Sequence, residues 1–148
     1  MNSITNKPVA VACDHGGLQL AGAILAHLEE NNIPAEFYGT HTAESCDYPD
    51  FAVQVTDAVT SGKSELGILV CGTGIGMSIA ANKVRGIRAA VCGDTFSAEM
   101  TRRHNNANVL CLGQRVTGEG LALKIADIFL ESPFEGGRHA TRVEKLEK

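Results

Sequence analysis

The sequence lacks the cysteine spacing that marks a disulfide framework or a zinc knuckle. Its five cysteines, Cys13, Cys46, Cys71, Cys92 and Cys111, are odd in number and contain no CxxC pair, which excludes both readings. Free thiols of this kind persist in a reducing compartment. No apolar run approaches the length needed to span a bilayer. The stretch MNSITNKPVAVAC has no charged segment leading into a long apolar core, so no secretory signal is read there. Positive charge is not in excess: 13 Lys and Arg stand against 17 Asp and Glu, a formal charge of −4. A nucleic-acid or anionic-membrane partner would favour a basic face. Repeats, low-complexity segments and internal linkers are absent too. The expectation is a cytoplasmic protein with neither nucleic acid nor membrane as its partner.

What is present is alternation. At 148 residues, 44% apolar and 20% charged, the chain suits one domain over residues 1–148. Short apolar runs read as buried strands at Pro8–Cys13, Ala35–Tyr38, Leu66–Cys71, Ile87–Cys92 and Asn108–Gly113. Between them, Leu18, Ala21, Leu25 and Leu28 share a helical face, as do Phe51, Ala52, Val55 and Val59. Pro49 near the start of that second helix and Gly62 past its end are the expected punctuation. Further helices are read at Met77–Val84, Phe96–His104 and Gly118–Glu131, with a short charged one after Gly136-Gly137. Strand–helix alternation with continuously apolar strands predicts a parallel sheet covered on both faces.

In such sheets ligands bind beyond the carboxyl ends of the strands. There the sequence places Asp14 and His15 in CDHGG, the glycine turn CGTGIG after Cys71, and Arg115 in GQRV, with Tyr48 in the long loop after the second strand. Cys71 ends a strand and precedes a turn that opens a helix, where N–H groups and the helix dipole favour a thiolate. Such a thiolate serves as nucleophile or general base, and the same N–H groups can hold an oxyanion. The plainer alternative is a buried strand-end thiol, which is the reading for Cys13, Cys92 and Cys111.

Gly72, Gly74 and Gly76 give G-x-G-x-G rather than the dinucleotide fingerprint G-x-G-x-x-G. Asp94 stands where that fingerprint wants an acid, but the turn follows the third strand rather than the first. No GK[ST] precedes Ser78, so a P-loop is excluded. Arg138 and Arg142, four apart, share a helical face and suit a phosphate, although on spacing alone a solvated tail is the plainer reading. His104 ends a helix and is a proton donor or a capping residue. Asp14 and His15 serve a proton shuttle or simple turn chemistry. His15, His41, Cys46 and Asp47 show no ligand spacing for a metal.

Taken in order, CDHGG, D-Y-P, CGTGIGMSIAANK, RRHNNANVLCLG and GGRHATRVEKL resemble the ribose-5-phosphate isomerase B family of lactose/ribose-type sugar-phosphate isomerases, from about Val9 to Val143. The resemblance implies a three-layer α/β/α Rossmann-like domain with a five-stranded parallel sheet. It also implies a homodimer with sites at the interface and cofactor- and metal-free interconversion of ribose 5-phosphate and ribulose 5-phosphate through an enediolate. Such an activity belongs to the pentose phosphate pathway. By the same resemblance Cys71 is the base, and His104, supplied by the partner subunit with Asn105 and Arg115, opens the sugar ring. The stretch Gly72, Thr73, Gly74, Ile75, Gly76 supplies N–H groups to the enediolate, and Asp14 handles hydroxyl protons. His15, Arg138 and Arg142 hold the phosphate, while Thr73 and Tyr48 line the pocket. A second branch of the family replaces the cysteine by a late glutamate in the glycine loop. Here that position is Met77, which assigns the base to Cys71. Hexose-phosphate isomerisation (allose or galactose 6-phosphate), a non-catalytic sugar-phosphate- or nucleotide-binding module, and pairing of dimers into a tetramer remain open.

Overall fold

The computed structural model describes residues 6–147. Five strands, β1 Val9–Cys13, β2 Ala35–Phe37, β3 Gly67–Cys71, β4 Ala89–Val91 and β5 Val109–Gly113, form one parallel sheet in the order β2-β1-β3-β5-β4. The helices are α1 Leu18–Glu30, α2 Tyr48–Thr60, α3 Ile75–Asn82, α4 Thr95–Arg103, α5 Glu119–Glu131 and α6 Arg138–Leu146, with a 3-10 turn at His15–Gly17 before α1. No helix among the described residues is long and apolar enough to cross a membrane.

The central strands β1, β3 and β5 are buried at every position, and their alternation divides the core. Val9, Val11, Ile68, Val70, Leu110 and Leu112 face a cluster built with α1 and α5. Ala10, Ala12, Leu69, Cys71, Val109 and Cys111 face α2 and α3. Both faces therefore bury apolar side chains, which explains the unbroken apolar runs. The edge strands β2 and β4 are three residues long and only partly buried. They are shorter than the apolar runs Ala35–Tyr38 and Ile87–Cys92 suggest, because ladder pairing on one side alone holds them. Cys92 consequently lies just past β4 rather than in it, yet stays buried.

Helix boundaries follow capping chemistry more than hydrophobicity. Asp94 accepts the N–H of Ser97 and starts α4 at Thr95. α3 begins at Ile75 and ends at Asn82, two residues earlier at each end than the apolar pattern indicates. The start follows from Gly74, whose φ of +82° turns the chain directly into the helix. Pro49 sits in the first turn of α2 and Gly62, with φ +83°, lies just beyond its end. Tyr48 is the first residue of α2 and not part of the preceding loop.

Candidate active site

From β1 the sheet grows in opposite directions, to β2 on one side and β3 on the other. The crevice at this switch point lies between the carboxyl ends of β1 and β3. Asp14 follows β1, is nearly buried, and accepts the Gly16 N–H at 2.9 Å to cap the 3-10 turn. This turn packs closely on β3. A Cβ on Gly17 would lie 2.4 Å from the Val70 carbonyl oxygen, and one on Gly16 would lie 3.2 Å from Gly72 N. The Asp14–His15 turn and the glycine turn thus meet because two residues have no side chain.

Cys71 closes β3 with 5% of its surface exposed, and its Sγ accepts the Gly74 N–H at 3.1 Å. An amide donor aimed at sulfur suits the thiolate, since a charged acceptor makes the stronger hydrogen bond. Three further cysteines lie in or beside the strands. Burial pushes the Cys13 thiol up to about 12 and the Cys92 thiol up to about 11, and it raises Cys111 as well. All five cysteines are free thiols.

Two of the five amides in the glycine turn are engaged internally, since Ile75 N–H donates to Thr73 Oγ1 at 3.3 Å and Gly74 N–H donates to Cys71. The amides of Gly72, Thr73 and Gly76 have no protein acceptor among the described residues. They are the ones free to meet an oxyanion, a narrower set than the whole Gly72–Gly76 stretch. Tyr48 borders them: a Cβ on Gly76 would lie 2.8 Å from its ring.

The turn after β5 is tied to the same place. Gln114 N–H donates to the Cys71 carbonyl at 2.9 Å and Arg115 N–H to the Gly72 carbonyl at 3.0 Å. The Arg115 guanidinium lies against Gly72, where a Cβ would sit 3.4 Å from its Nη1. Arg115 therefore lies beside the glycine turn of its own chain. The reason is register: Cys71 pairs with Gly113, which brings Arg115 over the glycine turn.

His104, Asn105, Arg138 and Arg142 form a second group. His104 caps the carboxyl end of α4, five residues before β5 begins, whereas Cys71 is level with the far end of β5. Traversing that strand takes about 13 Å. The His104 ring stacks on His139, centroids 4.2 Å apart and planes at 5°. Their Nε2 atoms lie 3.8 and 3.6 Å from Glu135 Oε1. Burial holds His139 below the usual imidazole range, with the nearby His104, Arg138 and Arg142 adding to the effect and Glu135 opposing it. One chain thus separates His15 from Arg138 and Arg142, three residues expected to hold one phosphate.

His104, Glu135 and His139 place potential ligand atoms within 4.8 Å of one another. Two parallel stacked imidazoles point their lone pairs in parallel planes, however, so one metal ion would need a ring to turn before both could bind. Sequence reading missed His139 and Glu135, although His139 lies beside Arg138 in the same motif. Cys46 was weighed there only as a metal ligand, whereas its N–H donates to His15 Nδ1 at 3.2 Å. A groove of about 670 Å³ along β4, which includes Asn105 and Arg88, lies away from Cys71 and has no cysteine or histidine in its lining.

Known proteins match this arrangement along almost the whole chain. A family model described as ribose/galactose isomerase matches residues 9–146. Ribose-5-phosphate isomerase B of Escherichia coli is 49% identical over 140 residues, covering 95% of this chain and 94% of that one. D-erythrulose-4-phosphate isomerase of Pectobacterium atrosepticum is 45% identical over 139 residues, covering 93% and 91%. The solved structure of Clostridium thermocellum ribose-5-phosphate isomerase B superposes with a TM-score of 0.93 at 51% identity, covering 95% of each chain. Sequence and doubly wound architecture agree: the chain belongs to the ribose/galactose isomerase family, a family of isomerase enzymes.

Proposed function

We propose that this protein interconverts ribose 5-phosphate and ribulose 5-phosphate in the cytoplasm, as a metal-independent step of pentose phosphate metabolism. The observation that carries the chemistry is the Gly74 N–H aimed at Cys71 Sγ at the head of a turn with unengaged amides. His104 donates a proton to the ring oxygen as the furanose opens, and Asp14 takes the proton of the C1 hydroxyl, which becomes the aldehyde. The Cys71 thiolate then takes the proton from C2 of the open aldose, giving an enediolate whose charge meets the amides of Gly72, Thr73 and Gly76. Returning the proton to C1 completes the ketose, while Asp14 moves the hydroxyl proton. C2 is oxidised and C1 reduced within one molecule, so the step needs no external redox partner.

The two groups of residues work together in a homodimer. Cys71, Asp14, Thr73, Tyr48 and Arg115 come from one protomer, and His104, Asn105, Arg138 and Arg142 come from its partner. The distance along β5 supports this division, because it sets a proton donor at one end of the strand apart from the Cys71 of its own chain at the other. His15 on the first side and the arginines on the second then converge on the phosphate, fixing C1 and C2 against the thiolate.

The test is isomerisation of ribose 5-phosphate with allose 6-phosphate, galactose 6-phosphate and D-erythrulose 4-phosphate in parallel. Preference for the pentose supports the proposal. The similarity to a D-erythrulose-4-phosphate isomerase makes the four-carbon sugar a second reading, and its preferential turnover would move the protein to that substrate.

A further inference from the structure

The segment between β2 and α2 is pinned at both ends. A Cβ on Gly39 would lie 2.5 Å from Cys13 N, so the segment starts in contact with β1, and the Thr40 N–H donates to the Cys13 carbonyl at 3.1 Å. At its other end, the Asp50 N–H donates to the Asp47 carbonyl at 3.2 Å in the first turn of α2. Between these anchors the Cys46 N–H donates to His15 Nδ1 at 3.2 Å. Its Sγ lies 3.7 Å from the same nitrogen.

An amide N–H only donates, so Nδ1 must offer its lone pair. A neutral imidazole with an accepting Nδ1 carries its proton on Nε2. We propose that the Cys46 backbone amide is a positioning group that locks His15 in the Nε2–H tautomer, so that this ring presents a hydrogen-bond donor to a phosphate or hydroxyl oxygen of the substrate. The proposal deepens the reading of the site as a sugar-phosphate site and rests on it for the substrate. Its tautomer assignment stands on the hydrogen bond alone.

The tautomer matters because Nε2 has no partner among the described residues. With the proton on Nδ1 instead, Nε2 would turn a lone pair toward an anionic oxygen and repel it. A loop outside the glycine turn thereby sets which kind of atom His15 shows the ligand. The thiol side chain is not required, since any residue but proline supplies the amide.

Two measurements test this. The first is nitrogen-15 NMR of the imidazoles at about pH 8.5, where neutral rings dominate, with His15 assigned by the loss of its signals in His15→Asn. The expected pattern is a protonated Nε2 and an unprotonated Nδ1, and the reverse pattern overturns the proposal. The second compares Cys46→Pro, which removes the N–H, with Cys46→Ala and Cys46→Ser, which keep it. Loss of one hydrogen bond's positioning raises KM by about three- to tenfold in Cys46→Pro, with kcat nearly unchanged and both other variants like the parent. A Cys46→Pro variant with parental KM, or an equal rise in Cys46→Ala, overturns it. Should Cys46→Pro fail to fold, the spectrum of the parent protein decides. If the parent isomerises no sugar phosphate, the functional reading falls while the tautomer is still read directly.

Discussion

The imidazole of His104 lies flat on that of His139, 4.2 Å between centroids, and the two share the Glu135 carboxylate. His139 is held below its ordinary value of 6.5, first by burial and then by the positive groups around it. In the unfolded chain this histidine takes up a proton at higher pH than in the native state. Native stability contributed here is therefore complete above the unfolded value and falls as pH drops through 6.5 toward the lower native value. Thermal melts between pH 7.5 and pH 5 should show a declining Tm, and His139→Gln should flatten the decline. An unchanged slope would assign the acid sensitivity to other groups.

Cys71→Ala removes the proposed base while leaving a side chain that β3 accommodates. Loss of general-base catalysis lowers kcat by about a hundred- to ten-thousandfold. Phosphosugar affinity, read by calorimetry, should change little because the proposed phosphate-holding cations are untouched. Full turnover in this variant would remove Cys71 from the mechanism.

Arg142→Ala deletes one cation of the proposed phosphate site. A charge-assisted contact contributes about 1.5–3 kcal/mol, so KM should rise tenfold or more while circular dichroism stays unchanged. A parental KM would return α6 to a purely structural role.

Complementation tests the division of the site. Cys71→Ala and His104→Ala chains, each inactive alone, are refolded together from an equimolar mixture. Half of the dimers are then mixed, and each mixed dimer holds one intact site and one doubly defective site. Recovery should approach about one quarter of parental activity for random pairing of a symmetric dimer. No recovery would mean that Cys71 and His104 do not share a site across protomers.

Two glycines should respond in opposite ways to alanine. Gly74 has φ +82°, and an added Cβ would lie 3.0 Å from the Leu112 backbone, so Gly74→Ala should cost about 1–3 kcal/mol and displace the amide that meets Cys71. Gly22 lies inside α1 with nothing within 4 Å of an added Cβ. There alanine should stabilise by about 0.5–1 kcal/mol. Denaturant titration of both variants reads the contrast.

Local chemistry was legible in the sequence. The strand–turn–helix sense of Leu66–Asn82 follows from its apolar run and glycines, and the structure turns at Gly74 as that pattern requires. Contacts between distant segments were not legible. Gln114 and Arg115 reach the glycine turn only through the β3–β5 register, and spacing along a chain does not reveal which strands become neighbours. Tyr48 read as loop because D-Y-P resembles a turn, whereas helical geometry begins one residue before Pro49. His139 was hidden for a similar reason: its partner His104 lies 35 positions earlier, and their stacking exists only once α6 folds back beneath α4.

The length of β5 has a consequence for how the protein behaves in solution. Under the division proposed above, the strand that holds Cys71 and His104 apart leaves a solitary chain with both halves of the machinery and no working whole. Activity per chain then depends on concentration: dilution below the dissociation constant of the pair silences every copy without unfolding any. Conversely, a copy damaged at one half still serves its neighbour through the other.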